Sequence, residues 1–203
     1  MPYHVRLMGK EDVTQVTEVD REAFSTQWPP PNYQHELRSR LAHYIVAYDE
    51  EKTVEQPEVK TSSEKGLTGW AFGLRRLFSR NRFFSSELPP PNRHYIIGFT
   101  GFWIMADEAH ITSIAVREAY RRQGVGELLL ISVIDLATEL KARIITLEVR
   151  TSNSVAQSLY TKYGFTRVGM RRGYYADNRE DGVFMSTEDI NSPAFRARLQ
   201  QLK

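Results

Sequence analysis

The sequence contains no cysteine. That removes disulfide staples, cysteine–zinc sites and thiol nucleophiles together, and it fits a reducing, cytoplasmic compartment. A long apolar run is missing as well. No stretch approaches the ~18 residues needed to cross a bilayer, and Arg6, Lys10, Glu11 and Asp12 interrupt any apolar signal near the N-terminus. There is no excess of one charge. Lys plus Arg is 27 and Asp plus Glu is 25, a net of +2, so binding of nucleic acid through bulk charge is not expected. The five histidines (His4, His35, His43, His94, His110) never fall at a ligand spacing such as HExxH, and no metal site is expected. What is present is ample apolar residue, 41% of 203 positions against 26% charged, enough for one domain with a real core. The expectation is a soluble cytoplasmic protein.

Residues 3–9 read as a strand and 11–24 as a helix, with Val13, Val16, Val19 and Ala23 apolar among acids. WPPPN (Trp28 to Asn32) stops that helix. A short helix is expected from Tyr33 to Leu41, then a strand over His43–Tyr48. Residues 49–93 stand apart as an insertion. Asp49 to Lys65 is too polar to order itself. Leu67, Trp70, Leu74, Leu77 and Phe78 then form an apolar stripe beside Arg75, Arg76 and Arg80. A basic amphipathic helix of this kind can rest on a membrane surface, on a protein partner or on the chain's own sheet. Strands follow at 95–105 and 110–116, a long helix at 124–141, a strand at 143–149 and a helix at 153–163. Asn153 or Ser152 should cap that last helix and Gly164 should end it in the left-handed region. Two strands, 166–171 and 181–187, precede a tail at 192–203, read as a short helix from Ser192 to Leu202. The order predicts an α/β fold (an α+β mixed sheet) with helices on its faces and a parallel crossover from Ile111 to Val149. Residues 1–191 are read as one domain carrying the insertion.

Chemistry-bearing residues concentrate in the second half. RRQGVG, Arg121 to Gly126, lies between a strand and the long helix. Glycine permits close backbone approach, and a helix N-terminus offers free N–H groups and partial positive charge. Together they can cradle a pyrophosphate. The spacing is neither the three-glycine dinucleotide fingerprint nor a P-loop, and a glycine pair before a helix is as often a plain turn. Glu148 sits mid-strand between Leu147 and Val149, where a carboxylate is costly unless it is paired or faces a cleft. Tyr160, on a helix, reads equally as a core tyrosine. Tyr174 and Tyr175 lie between the last two strands.

Three blocks in order narrow these readings. RRQGVG has the RxxGxG form of motif A of the GNAT acetyltransferases. LEVRTSNSVAQSLYTKYGF (Leu147 to Phe165) resembles the next strand and helix of that superfamily. RRGYYADNREDGVFM (Arg171 to Met185) resembles the RimI-type N-terminal acetyltransferases. The resemblance implies the GNAT fold, a twisted mixed sheet of about six or seven strands with helices on both faces. It implies acetyl-CoA as co-substrate, no metal, and the α-amine of a protein, such as a ribosomal protein, as acceptor. By the same resemblance Glu148 is the general base and Tyr160 the acid that protonates the departing sulfur. The strand edge Ile114, Ala115 and Val116, the loop residues Arg121, Arg122, Gln123, Gly124, Val125, Gly126 and Glu127, and Asn153 hold the cofactor. Tyr174 and Tyr175 grip the peptide, with Phe24 and Trp28 on the opposite wall. The chain departs from the family there, reading FSTQWPPPN where a Phe-Pro-Trp-like order is common, which leaves the first-residue preference open. A protein α-amine has a pKa near ~8 and is mostly protonated at neutral pH, so a base is required. Without cysteine a cysteinyl intermediate is impossible, and direct transfer in a ternary complex is expected. Two other readings stay open on the residues: a small-molecule amine as acceptor, or an acyl-CoA-binding module without turnover.

Overall fold

The computed structural model describes residues 3–24, 31–53 and 94–203. Trp28 and the amphipathic stripe at 66–83 lie outside them. The elements are β1 (Tyr3–Leu7), α1 (Val13–Ala23), α2 (Tyr33–Glu36), β2 (Ala42–Thr53), β3 (His94–Met105), β4 (Glu108–Val116), α3 (Val125–Glu139), β5 (Ile144–Arg150), α4 (Ser154–Lys162), β6 (Phe165–Arg171), β7 (Gly182–Thr187) and α5 (Pro193–Leu202). They build one 7-stranded sheet in the order β1-β2-β3-β4-β5-β7-β6. Among the described residues β4 and β5 are the only parallel neighbours, joined by α3 as the sequence predicts. No helix among them is long and apolar enough to cross a membrane.

Period-two alternation along the central strands feeds two cores. Ile45, Ala47, Ile97, Ile145 and Leu147 face Leu129, Leu130 and Val133 of α3, with Phe165 and Phe195. Tyr44, Val46, Ile96 and Phe99 face Val16 and Val19 of α1 and Tyr33 of α2 on the other side. The helices therefore cover both faces. The caps form as expected: the Asn153 side chain accepts from Ala156 N–H at 3.1 Å, and Gly164 has φ +90°. Gly164 is required twice over, because a Cβ there would also come within 3.0 Å of the Phe195 ring.

Three boundaries differ from the sequence reading. β2 does not stop at Tyr48 but runs to Thr53, and its polar end is held by pairing: Asp49 sits opposite both Tyr3 and Tyr95. Asp49 is buried and accepts a hydrogen bond from Tyr120 at 3.2 Å, a partner far away in sequence. α2 is a single turn, Tyr33–Glu36, rather than a helix to Leu41. The tail forms the short helix read there, α5, but it packs onto the domain instead of trailing beyond it, with Phe195 buried in the core.

One irregularity shapes the site. The β4–β5 ladder runs from Glu108 opposite Ile144 to Ile111 opposite Leu147 and stops there, although both strands continue. At that point the β3–β4 register slips, so that Phe102 faces Ile111 while Gly101 faces Ser113. Thr112 is the extra residue of a β-bulge, and a bulge bends its strand. The end of β4 is carried away from β5, and Thr100 Oγ1 secures it with a 2.9 Å bond to Ser113 O.

Candidate active site

The splay opens a cleft of about 670 Å³. Its floor is the diverging ends of β4 and β5, with Ile114 on one side and Glu148 on the other. Tyr160 of α4 enters from the α3 face, the β6–β7 loop brings Tyr174 and Tyr175, and Phe24, Tyr33 and Tyr44 close the far wall.

Both alternatives weighed for Glu148 hold at once. It lines the cleft, and its Oε2 is 3.0 Å from His110 Nε2. Side-chain exposure is 23% for His110 and 16% for Glu148, so the pair is largely shielded from water. The hydrogen bond that His110 Nε2–H donates to the Glu148 carboxylate raises the His110 pKa above its ordinary value, against the opposing effect of burial. His110 was passed over in the sequence because it belongs to no metal-ligand pattern. The signal was there: with β4 and β5 parallel and side chains alternating, His110 falls opposite Thr146 and on the same face as Glu148, two residues further along β5.

Tyr160 is 9% exposed, packs against Phe165, and has its pKa pushed up to about 12, mainly by burial and then by the neighbouring Tyr175. It therefore keeps its proton at neutral pH. Tyr174 and Tyr175 meet edge to face at 5.1 Å between ring centroids. The Arg150 guanidinium lies 3.9 Å from the Tyr175 centroid and bonds Asp177 at 2.8 Å and Glu180 at 3.2 Å. Glu180 also accepts from Ser152 N–H at 2.7 Å, and hydrogen bonds from Ser152 are the main cause lowering its pKa to about 2. This network pins the β6–β7 loop to the end of β5 and so fixes the tyrosine pair over the cleft.

The loop after β4 has the form of an anion cradle. Arg122 and Gly124 take left-handed φ of +62° and +81°. Gly124 supplies no side-chain cap, and the first intrahelical bond there is Leu128 N–H to Gly124 O at 2.9 Å. The N–H groups of Val125, Gly126 and Glu127 thus have no acceptor within the helix. A Cβ on Gly126 would meet only Leu159 and Val116 methyl groups at 3.9 Å, so the space above it is open. Arg117 N–H donates to Ile97 O on β3. Alternation then directs the Ile114 and Val116 N–H groups to the side where β5 has departed. These features fit the pyrophosphate and the amide-bearing arm of coenzyme A.

Not every residue of the expected cofactor set contributes its side chain. Ala115 and Val125 are buried in the cores. Gln123 accepts from the Tyr3 hydroxyl at 2.5 Å and donates to Ala119 O at 2.8 Å. Glu127 is tied to Lys162 and, at 2.6 Å, to the Tyr163 hydroxyl. The side chains of these residues are engaged within the protein, which leaves their backbone N–H groups to meet a ligand. Arg121 and Arg122 are exposed, with Arg121 Nε bonded to Val116 O at 3.2 Å. Asn153 lines the cleft while capping α4. Phe24 lines it at 43% exposure. The sequence reading missed the rest of that wall. Asp20, only 9% exposed, accepts a hydrogen bond from Tyr33, and burial raises its pKa against that bond.

Residues 79–165 match the family described as Acetyltransferase (GNAT) family. A Bacillus subtilis protein provisionally named ribosomal protein bS18-alanine N-acetyltransferase is 33% identical over 182 residues, covering 89% of this chain and 92% of its own length. The N-alpha-acetyltransferase RimI of Mycobacterium tuberculosis is 34% identical over 186 residues, covering 91% of each. The fold is shared with the crystal structure of the ribosomal-protein-S18-alanine N-acetyltransferase from Escherichia coli, at TM-score 0.64 and 21% identity over 92% of this chain and 94% of that one. With a splayed β4–β5 pair, an open helix N-terminus and near full-length identity to RimI-type relatives, the chain belongs to the GNAT family of acetyl-CoA-dependent N-acetyltransferases, within its RimI-type branch.

Proposed function

We propose that the protein acetylates the N-terminal α-amine of a protein, and that an alanine-initiated ribosomal protein of the bS18 kind is its acceptor. The observation that carries this reading is the meeting, in one cleft, of the Glu148–His110 pair, the Tyr160 phenol and the Tyr174–Tyr175 pair. Acetyl-CoA supplies the activated thioester when bound. The first turn of α3 and the Arg121–Gly124 loop hold its phosphates, and the freed N–H groups of Ile114 and Val116 hold its arm and polarise the carbonyl. The tyrosine pair and Phe24 orient the peptide backbone. Glu148 takes a proton from the incoming ammonium at its carboxylate, and Tyr160 offers its phenolic proton to the leaving sulfur. A ribosomal acceptor places the reaction in the cytoplasm. The chain is read as one catalytic domain in which residues 54–93 are inserted between Thr53 and His94, which are register partners.

The test is incubation with acetyl-CoA and a library of peptides differing in the first residue, with polyamine and aminoglycoside arms, read by mass spectrometry. Acetylation confined to peptide α-amines, strongest on alanine, is the expected result. Preference for a small amine, or binding of acetyl-CoA without turnover on any amine, would refute the reading.

A further inference from the structure

One residue breaks the apolar pattern on the inward stripe of α1. Val16 and Val19 are fully buried against the sheet, and Ala23 packs against the same core. Asp20 stands one turn beyond Val16 on that stripe, where an apolar side chain would serve the core. It is only 9% exposed, and it lines the cleft.

Little in the folded protein stabilises the Asp20 charge. Burial raises its pKa, against a hydrogen bond from the Tyr33 hydroxyl and the attraction of Arg21 on the same helix. The other charged side chains of the cleft are paired: Glu148 with His110 at 3.0 Å, and Arg150 with Asp177 at 2.8 Å. Asp20 has no ion-pair partner among the described residues. The cleft as a whole carries three carboxylates, on Asp20, Glu148 and Asp177, and one guanidinium, on Arg150. Its field therefore favours a positive group.

The wall around Asp20 supplies no competing donor. The Tyr33 and Tyr44 rings meet edge to face at 5.5 Å between centroids. Burial raises the pKa of both phenols, so both keep their protons at neutral pH. Tyr33 gives its proton to Asp20 and Tyr44 gives its proton to Glu36 of α2. A phenol has one proton to donate, so neither has another for a ligand. Phe24 completes the wall with a ring 43% exposed. An under-paired carboxylate among aromatic rings rejects an anion and suits a cation.

We propose that Asp20, framed by Phe24, Tyr33 and Tyr44, is a cation subsite that seats a positively charged nitrogen of the acceptor. The proposal rests on the acetyltransfer reading above and adds a specificity residue to it. Two nitrogens have the required chemistry. One is the α-ammonium, before Glu148 removes its proton. The other is the side chain of a lysine or arginine close to the acceptor's N-terminus. Either one completes the ion pair that the free protein lacks. In the absence of acceptor the carboxylate is a cost. Its pKa is higher folded than unfolded, so stability falls as pH rises through the raised value and stays lowered above it.

Two pairs of peptides test this by calorimetry in the presence of coenzyme A. The first pair has neutral side chains and begins with alanine or with a propionyl group, which lacks only the α-nitrogen. The second pair begins with propionyl and has lysine or norleucine next. In the wild type the charged member of at least one pair should bind about tenfold to a hundredfold more tightly than its neutral counterpart, the range of one charge-assisted hydrogen bond. In Asp20→Asn that gap should close, and the pair in which it closes identifies the nitrogen. Affinity for acetyl-CoA should be unchanged. In acetylation, the KM of the peptide carrying the recognised charge should rise by the same factor while kcat changes far less. Asp20→Asn should melt at or above the wild-type temperature at neutral pH, since it removes a buried charge; loss of a structural carboxylate would lower it. The same gap in both proteins, or no gap in the wild type, would overturn the subsite. So would a lowered melting temperature with equal losses for charged and neutral peptides. Should the wild type acetylate no peptide, the acceptor reading fails, and spermidine decides the subsite: weaker binding to Asp20→Asn upholds it, and equal binding overturns it.

Discussion

Replacing Glu148 with Gln separates its two roles, because the amide keeps the shape and a hydrogen bond but cannot accept a proton. As general base, Glu148 should account for about 10²–10⁴ in rate, or about 3–5 kcal/mol of barrier. As the partner of His110 it contributes to stability. The pair is 3.0 Å apart with both side chains largely shielded, so the charge-assisted bond is worth about 1.5–3 kcal/mol while His110 is protonated. His110 has a raised folded pKa relative to its ordinary 6.5. Its contribution is therefore fully present below that ordinary value and is lost as pH rises through the raised folded value. E148Q should melt several degrees below wild type near about pH 5.5 and converge with it near about pH 9, at roughly 2–4 °C per kcal/mol for a chain of this size. Turnover, followed as free thiol released from acetyl-CoA, should be depressed at every pH. Single-turnover measurements would establish that the depressed step is chemistry. Near-wild-type single-turnover rates in E148Q would refute the base assignment. A melting difference that persists unchanged at alkaline pH would refute the ion-pair account.

Three further outcomes are expected. Gly126→Val should reduce acetyl-CoA affinity at least about tenfold, by calorimetry, with the fold retained. Its new methyl groups enter the open space above the α3 N-terminus, where a Cβ meets only ordinary contacts. Alanine at both Tyr174 and Tyr175 should raise the peptide KM and leave acetyl-CoA binding unchanged; an unaltered KM would move the acceptor site elsewhere. Replacing residues 54–93 with an Asn-Gly turn should preserve acetyl-CoA binding and the circular dichroism spectrum, because Thr53 and His94 are already paired and a two-residue loop can close that hairpin; loss of folding would show that the segment supplies core.

What could be read from the sequence was what neighbours in the chain decide. The helical period of α3, the Asn153 cap and the Gly164 stop are local, and they form where expected. So are the glycines at the start of α3. The misjudged positions depend on partners distant in sequence. Asp49 reads as the start of a polar linker, yet it is buried because Tyr120 donates to it and β1 and β3 flank it. His110 carried no motif at all, and its meaning emerges only when β4 is laid parallel to β5. The acceptor wall built by Asp20, Tyr33 and Tyr44 required three elements from the N-terminal half, α1, α2 and β2, to be placed against the C-terminal half.

One extra residue accounts for much of this arrangement. Had Thr112 not been inserted, the β4–β5 ladder would continue past Ile111 and Leu147 as regularly as it begins. The Ile114 and Val116 N–H groups would then bond to β5 and be unavailable to a thioester arm. Glu148 would remain on the same face but over a closed sheet, with no cleft through which an amine could reach it. Below the bulge the strands must stay in register, because the contacts of Glu148 and Thr146 with His110 depend on that parallel pairing. Tight pairing below and separation above are thus complementary demands on the same two strands. The bulge sets the boundary between the segment that holds His110 against Glu148 and the segment that would bind substrates.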